Sequence, residues 1–218
     1  MTKPIGTFCL VLHTHLPWLA HHGSWPVGEE WLHQAWATSY LPVISLLETL
    51  ADEGRSDVLT LGVSPVLAAQ LDDPYCIKEQ RTWHANWQLR AEGMAGAREP
   101  WRREAGTREF KGAIAAQQDF DTRWQRGASP ILRRLSEGGV IEILGGPATH
   151  NFQPLSKAAT RRAALLIGQN DSLLRRGNRP TGIWAPECAY TPGLELEYAE
   201  AGVNHFMVDG PTMNSAGR

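Results

Sequence analysis

The chain has 218 residues, 42% of them hydrophobic, which is enough to bury a core as one large domain or two small ones. Its 21 basic residues nearly cancel its 23 acidic ones, and a formal charge of -2 gives no electrostatic ground for a nucleic-acid or anionic-membrane partner. Cys9, Cys76 and Cys188 are far apart and show no metal-type spacing, and the apolar run at 8–12 is too short for a signal core or a membrane span. The expectation is a soluble, cytoplasmic protein with a neutral partner.

Along the chain, short apolar runs alternate with helical patterns. Runs at 8–12, 58–61, 140–144, 182–184 and 206–208 read as five strands buried on both faces, hence a parallel α/β sheet. After the first run, Val43, Leu46, Leu47 and Leu50 repeat at helical spacing behind Pro42 and predict an inner helix face. The stretch 75–127 is charged, Trp-bearing and strandless, broken near Gly93 and Gly96, and reads as a helical insertion between barrel portions at 1–74 and 128–218. Within it, Trp83 and Trp87 stand one turn apart and read as a packing pair. A further helix is expected over 157–176, with Ser156 as N-cap, Ala163, Leu166, Ile167 and Leu174 facing the sheet, and Gly177 then Pro180 as the stop.

Chemistry-bearing residues fall where strands end. His13 and His15, in His13-Thr14-His15-Leu16-Pro17-Trp18, are two apart and so can project together over the C-terminal mouth of a parallel barrel. A buried hydrogen-bonding role for each competes evenly with a ligand role. His150 follows the third strand through a Gly-Gly-Pro turn and reaches the same mouth. After the fourth strand, Trp184-Ala185-Pro186-Glu187-Cys188-Ala189-Tyr190 sets a carboxylate behind a proline and between two aromatics, as a retaining glycosidase nucleophile requires. The competing reading makes Glu187 a helix-start acid. Glu29 and Glu30 read as ordinary first-turn acids, while Trp25, ahead of that helix, is free to enter a cleft. Nine tryptophans suit sugar stacking, although packing is the commoner use of each.

These segments, in this order, resemble the first conserved regions of glycoside hydrolase family 57 over essentially the whole chain. Trp25-Pro26-Val27-Gly28-Glu29-Glu30 resembles its 1,4-alpha-glucan branching enzyme subgroup. The resemblance implies an incomplete (β/α)7 TIM-like barrel with a helical insertion, and a double displacement on α-1,4-glucan without cofactor or metal. It makes Glu187 the nucleophile, His13 and His150 the lining of the attacked subsite, and Trp25 a substrate-contacting aromatic; the placement of His15, Trp184 and Tyr190 adds them as expected substrate-binding residues. In that family the acid/base is an aspartate well downstream, a role for which Asp209 stands too near the fifth strand. The chain therefore reads as an N-terminal portion lacking further strands and a C-terminal helical domain, inactive by itself.

Three readings compete. Another family 57 activity, amylase or 4-α-glucanotransferase, shares the motifs. A metal-dependent polysaccharide deacetylase would use the histidines as ligands, but Leu12 stands where that class usually has an acid. A non-catalytic glucan-binding module would keep only the barrel mouth.

Overall fold

In the computed structural model, which describes residues 6–23 and 28–216, the chain forms two compact units. The first takes the chain up to Trp18, residues 50–69, and everything from 132 onward; the second takes 19–49 and 70–131. In chain order the elements are β1 (Val11–Thr14), α1 (Glu29–Ala35), a π-turn (Trp36–Tyr40), α2 (Leu41–Asp52), β2 (Leu59–Val63), α3 (Pro65–Leu71), α4 (Pro74–Ala95), α5 (Pro100–Arg123), α6 (Ser129–Glu137), β3 (Ile141–Leu144), α7 (Ala158–Arg176), β4 (Gly182–Trp184), α8 (Leu194–Glu200), β5 (His205–Met207) and α9 (Gly210–Ala216).

All five strands are parallel and lie side by side in chain order, as in a singly wound barrel. They do not close among the described residues. Their limits differ from the apolar runs. β1 starts at Val11, three residues later than expected, because its ladder partner is β2, with Val11 opposite Thr60 and Thr14 opposite Val63. Phe8 is exposed, and β5 begins one residue early at His205. Nor are both faces buried. Ile183 and Phe206 pack under helices with Leu165, Leu194, Tyr198 and Val203, while the opposite, lumen face carries His13, Thr60, Glu142, Trp184 and His205.

The face of α7 is the clearest departure. Leu166, Ile167 and Leu174 are 57%, 57% and 86% exposed, and the buried residues are Ala164, Leu165, Gly168, Gln169, Ser172 and Arg176. The cause is a backbone contact. The turn after β3 lies directly on the helix, Ala148 N–H donating to Ala164 O at 2.9 Å, and a Cβ on Gly168 would collide with the carbonyl oxygen of Gly146. Only small residues permit that approach, so the apolar period points outward. Ser156 does not cap the helix: Lys157 holds the N-cap position, and Ser156 Oγ donates to Phe152 O instead. The stop at Gly177, in the left-handed region, is where it was expected.

In the second unit α4 and α5 pair as a long helical hairpin, and Trp36, Phe120 and Trp124 meet edge to face at 5.3 and 5.6 Å, as packing residues. Trp83 and Trp87 pair at 5.4 Å. In α2 the buried face is Leu41, Ile44 and Leu47, with Leu46 exposed, and a π-helical segment runs directly into its first turn. Glu29 and Glu30 are specific acceptors as well as first-turn acids. Buried Glu29 takes the His21 N–H at 2.6 Å and the Tyr75 hydroxyl at 3.2 Å, and Glu30 takes the indole N–H of Trp83 at 2.8 Å. Gln70 Oε1 accepts the N–H groups of Leu19 and Ala20, so the chain leaving the first unit is held at three successive residues.

Gly168→Ala should destabilise the protein by about 1–3 kcal/mol in a denaturant titration, the usual cost of overpacking. Leu174→Ser, on the same helix but exposed, should change stability by no more than about 0.5 kcal/mol.

Candidate active site

The functional candidates of the first unit gather where the strands end. Trp184, His13, His150 and His15 form a stack of four rings in that order. Centroids are 4.3 Å apart for Trp184–His13, 5.2 Å for His13–His150 and 3.9 Å for His150–His15, with ring planes within 20°. His13 lies on β1 opposite Gly62 of β2, where a Cβ would stand 2.8 Å from His13 Nδ1, so the missing side chain gives the imidazole its place. His15 Nδ1 lies 2.9 Å from Oγ of buried Ser64, just past β2. His150 sits at φ 54° in the turn that rests on α7, braced by its own N–H to Pro147 O at 3.1 Å. Neither Gly62 nor Ser64 stood out in the sequence, although both fall at a strand's C-terminal end.

Glu187 is exposed on the turn that follows β4. Ala185 is extended, as a residue before proline must be, and Glu187 (φ 57°, ψ 21°) and Cys188 (φ 56°) are both left-handed. Each such residue costs about 1–3 kcal/mol. The strained turn is held by Cys188 N–H to Ala185 O at 2.8 Å and Ala189 N–H to Pro186 O at 3.1 Å. Its carboxylate is close enough to His15 for its field to favour the imidazolium there.

Tyr190 stacks on Phe206 at 6.0 Å and donates its hydroxyl to Glu195 Oε2 at 2.8 Å, packing against the core beside α8. Trp25 lies outside the described residues. Asp209 accepts the Thr212 N–H at 2.8 Å and is held below the usual carboxylate range by that bond, as the cap of α9.

Burial, then His15, pushes the His13 imidazole down to about 4; burial, then His15 and His13, pushes His150 down to about 3. His15 is lowered by burial against the opposing pull of Glu187. At neutral pH the stack is uncharged. Metal ligation needs in-plane lone pairs converging on one point, whereas parallel rings hold them side by side. Among the described residues no three His, Cys, Asp or Glu side chains are grouped to hold a metal, and no helix is long and apolar enough to cross a membrane.

Unfolded imidazoles titrate near the ordinary 6.5, so between that value and about 4 and 3 the unfolded chain binds more protons than the folded one. Stability should therefore be full above about pH 6.5 and fall as the pH drops towards 4, seen as a declining unfolding midpoint. Proton NMR should show the His13 and His150 rings silent between about pH 8 and 5, and Gly62→Ala should push His13 out of the stack and return its titration towards 6.5.

The profile of Glycosyl hydrolase family 57 matches residues 9–218. A Mycobacterium tuberculosis protein named "Probable 1,4-alpha-glucan branching enzyme" is 54% identical over 96% of this chain and 42% of its own length. A 1,4-alpha-glucan branching enzyme of Thermococcus kodakarensis is 30% identical over 97% of this chain and 34% of its own. Among solved structures, the GH57-type branching enzyme of Pyrococcus horikoshii superposes with a TM-score of 0.82 at 31% identity, covering 91% of this chain and 41% of that one. The alpha-amylase AmyC of Thermotoga maritima has a TM-score of 0.81 at 24% identity over 92% of this chain and 39% of its own, a likeness of fold. The chain spans about two fifths of the length of the M. tuberculosis relative. By the match over nearly its whole length, the chain belongs to glycosyl hydrolase family 57.

Proposed function

We propose that this chain carries the nucleophile half of a retaining 1,4-alpha-glucan branching enzyme, with Glu187 as the nucleophile and α-1,4-glucan, glycogen-like or a maltooligosaccharide, as the substrate. The observation that carries the reading is the strained, exposed Glu187 turn set beside an uncharged imidazole stack. Such strain persists at sites where a group must be aimed. Relatives named as branching enzymes supply the reaction class.

Both ring nitrogens of His13, and Nδ1 of His150, are buried without a hydrogen-bond partner among the described residues. An unpaired buried polar group costs about 1–3 kcal/mol. Sugar hydroxyls would relieve that cost, which gives His13 and His150 the role of binding the ring under attack. Trp184 is committed on one face to His13 and offers a sugar its remaining edge.

In the reaction, a Glu187 oxygen bonds to the anomeric carbon as the glycosidic C–O bond breaks, and the departing oxygen takes a proton from a second carboxyl group. The 6-hydroxyl of a glucan then attacks the glycosyl-enzyme, gives its proton to that second group, and frees the Glu187 carboxylate. Retention calls for the two carboxyls to be roughly 5 Å apart. Asp209 is engaged as the cap of α9.

An α-maltosyl fluoride trap tests the nucleophile directly, because fluoride leaves without general-acid help. Mass spectrometry should find one glycosyl adduct on the peptide containing Glu187, and Glu187→Gln should label at least about a thousandfold more slowly while still binding maltooligosaccharide. An adduct elsewhere, no adduct on the native chain, or unchanged labelling of Glu187→Gln would move the nucleophile to another residue.

A further inference from the structure

The sheet has a seam. β1, β2 and β3 form one ladder, β4 and β5 another, and among the described residues the two meet through a single bridge between Gly145 and Ile183. Its backbone bonds are Gly145 N–H to Gly182 O at 3.0 Å and Trp184 N–H to Gly145 O at 3.1 Å. The candidate residues stand on both sides: His13 is on a strand of the first ladder and His15, Ser64 and His150 follow its strands, while Trp184 is on the second ladder and Glu187 follows it. A slip along the seam would part Trp184 from His13 and draw Glu187 from His15.

A side-chain link crosses the same seam on the lumen face. Glu142 of β3 accepts the Thr60 hydroxyl on Oε2 at 2.8 Å, and its Oε1 lies 3.1 Å from Nε2 of His205 on β5. To reach Glu142, the imidazole of His205 passes over β4 at Gly182, its partner in register. A Cβ on Gly182 would collide with His205 Nε2 and with Leu144 Cδ2, so any side chain at 182 would displace the imidazole or Leu144. The strand between them is stripped to backbone where they meet. The pair is two residues below Leu144, Trp184 and Met207 along its strands, about 6–7 Å deeper at the rise of a strand, so it does not reach a sugar at the mouth.

We propose that Glu142 and His205 are positioning residues, whose pair across Gly182 clamps the seam and holds Trp184 and Glu187 in register with the histidine stack. The consequence for the reaction rests on Glu187 being the nucleophile; the clamp itself does not. A half-exposed carboxylate–imidazole pair has little intrinsic strength. Its leverage comes from lying across a joint that has few backbone bonds.

Three variants of the full chain test this. Glu142→Gln removes the charge at constant volume, His205→Asn shortens the reach, and Thr60→Val removes a bond that lies wholly on one side of the seam. One readout is the His13 Cε1–H resonance, shielded by the Trp184 ring while the two stack. The other is the rate of maltosyl labelling of Glu187. Glu142→Gln and His205→Asn should each move the His13 resonance towards its unshielded position and slow labelling about fivefold in rate at saturation, leaving the half-saturating concentration unchanged. Thr60→Val should change neither. An unmoved His13 resonance in both seam variants overturns the clamp whatever the labelling shows, and so does an equal shift in Thr60→Val. If the native chain takes no adduct while the resonance moves in both seam variants alone, the clamp stands and the nucleophile assignment falls.

Discussion

An imidazole keeps its place among stacked rings and away from water only while it is uncharged. That condition governs the mouth of this sheet. Burial suppresses protonation of His13 and His150, and a charge on one ring would repel a charge on the next. The stack is polarised along its length. At one end His13 lies against Trp184; at the other, His15 touches Ser64 and feels the carboxylate of Glu187, so a proton entering the stack is best received there. Three of the chain segments that supply these groups are placed by local backbone features. Gly62 clears space for His13, the backbone of α7 carries the His150 turn, and Pro186 directs the chain into the Glu187 turn.

Much of this was legible in the sequence, and the parts that were not share a cause. Strand number and parallel sense follow from apolar runs separated by helical patterns, strand order from the barrel that the family resemblance implies, and the convergence of His13, His15, His150 and Trp184 from their places at or after the ends of those runs. The sheet-facing side of α7 was misjudged because periodicity registers only side chains that bury apolar area. Here the contact is backbone on backbone, and the residues that permit it, Ala164 and Gly168, carry little apolar signal. Gly62, Gly182 and Ser64 carry no signal in the sequence for a related reason: the worth of the glycines lies in a neighbour in register on another strand, and that of Ser64 in a side-chain contact 49 residues away. Tyr190 has partners that the sequence does not indicate: its hydroxyl donates to Glu195 and its ring stacks on Phe206.

The helical unit shows how acids and tryptophans suggestive of carbohydrate chemistry are also used for construction. Trp36 and Trp124 fill a core, Trp83 is fixed to Glu30, and Glu29 closes on His21 and Tyr75. Several of the nine tryptophans are therefore accounted for by packing alone.

The left-handed pair at Glu187 and Cys188 sets function against stability. Asparagine and glycine tolerate that backbone better than glutamate does, so replacement of Glu187 by either would ease the turn while removing the carboxylate. The fold would gain from losing the group on which the proposed chemistry depends. Selection for solubility or heat resistance alone would then push position 187 away from glutamate, and a glutamate retained there has to be maintained by what it does.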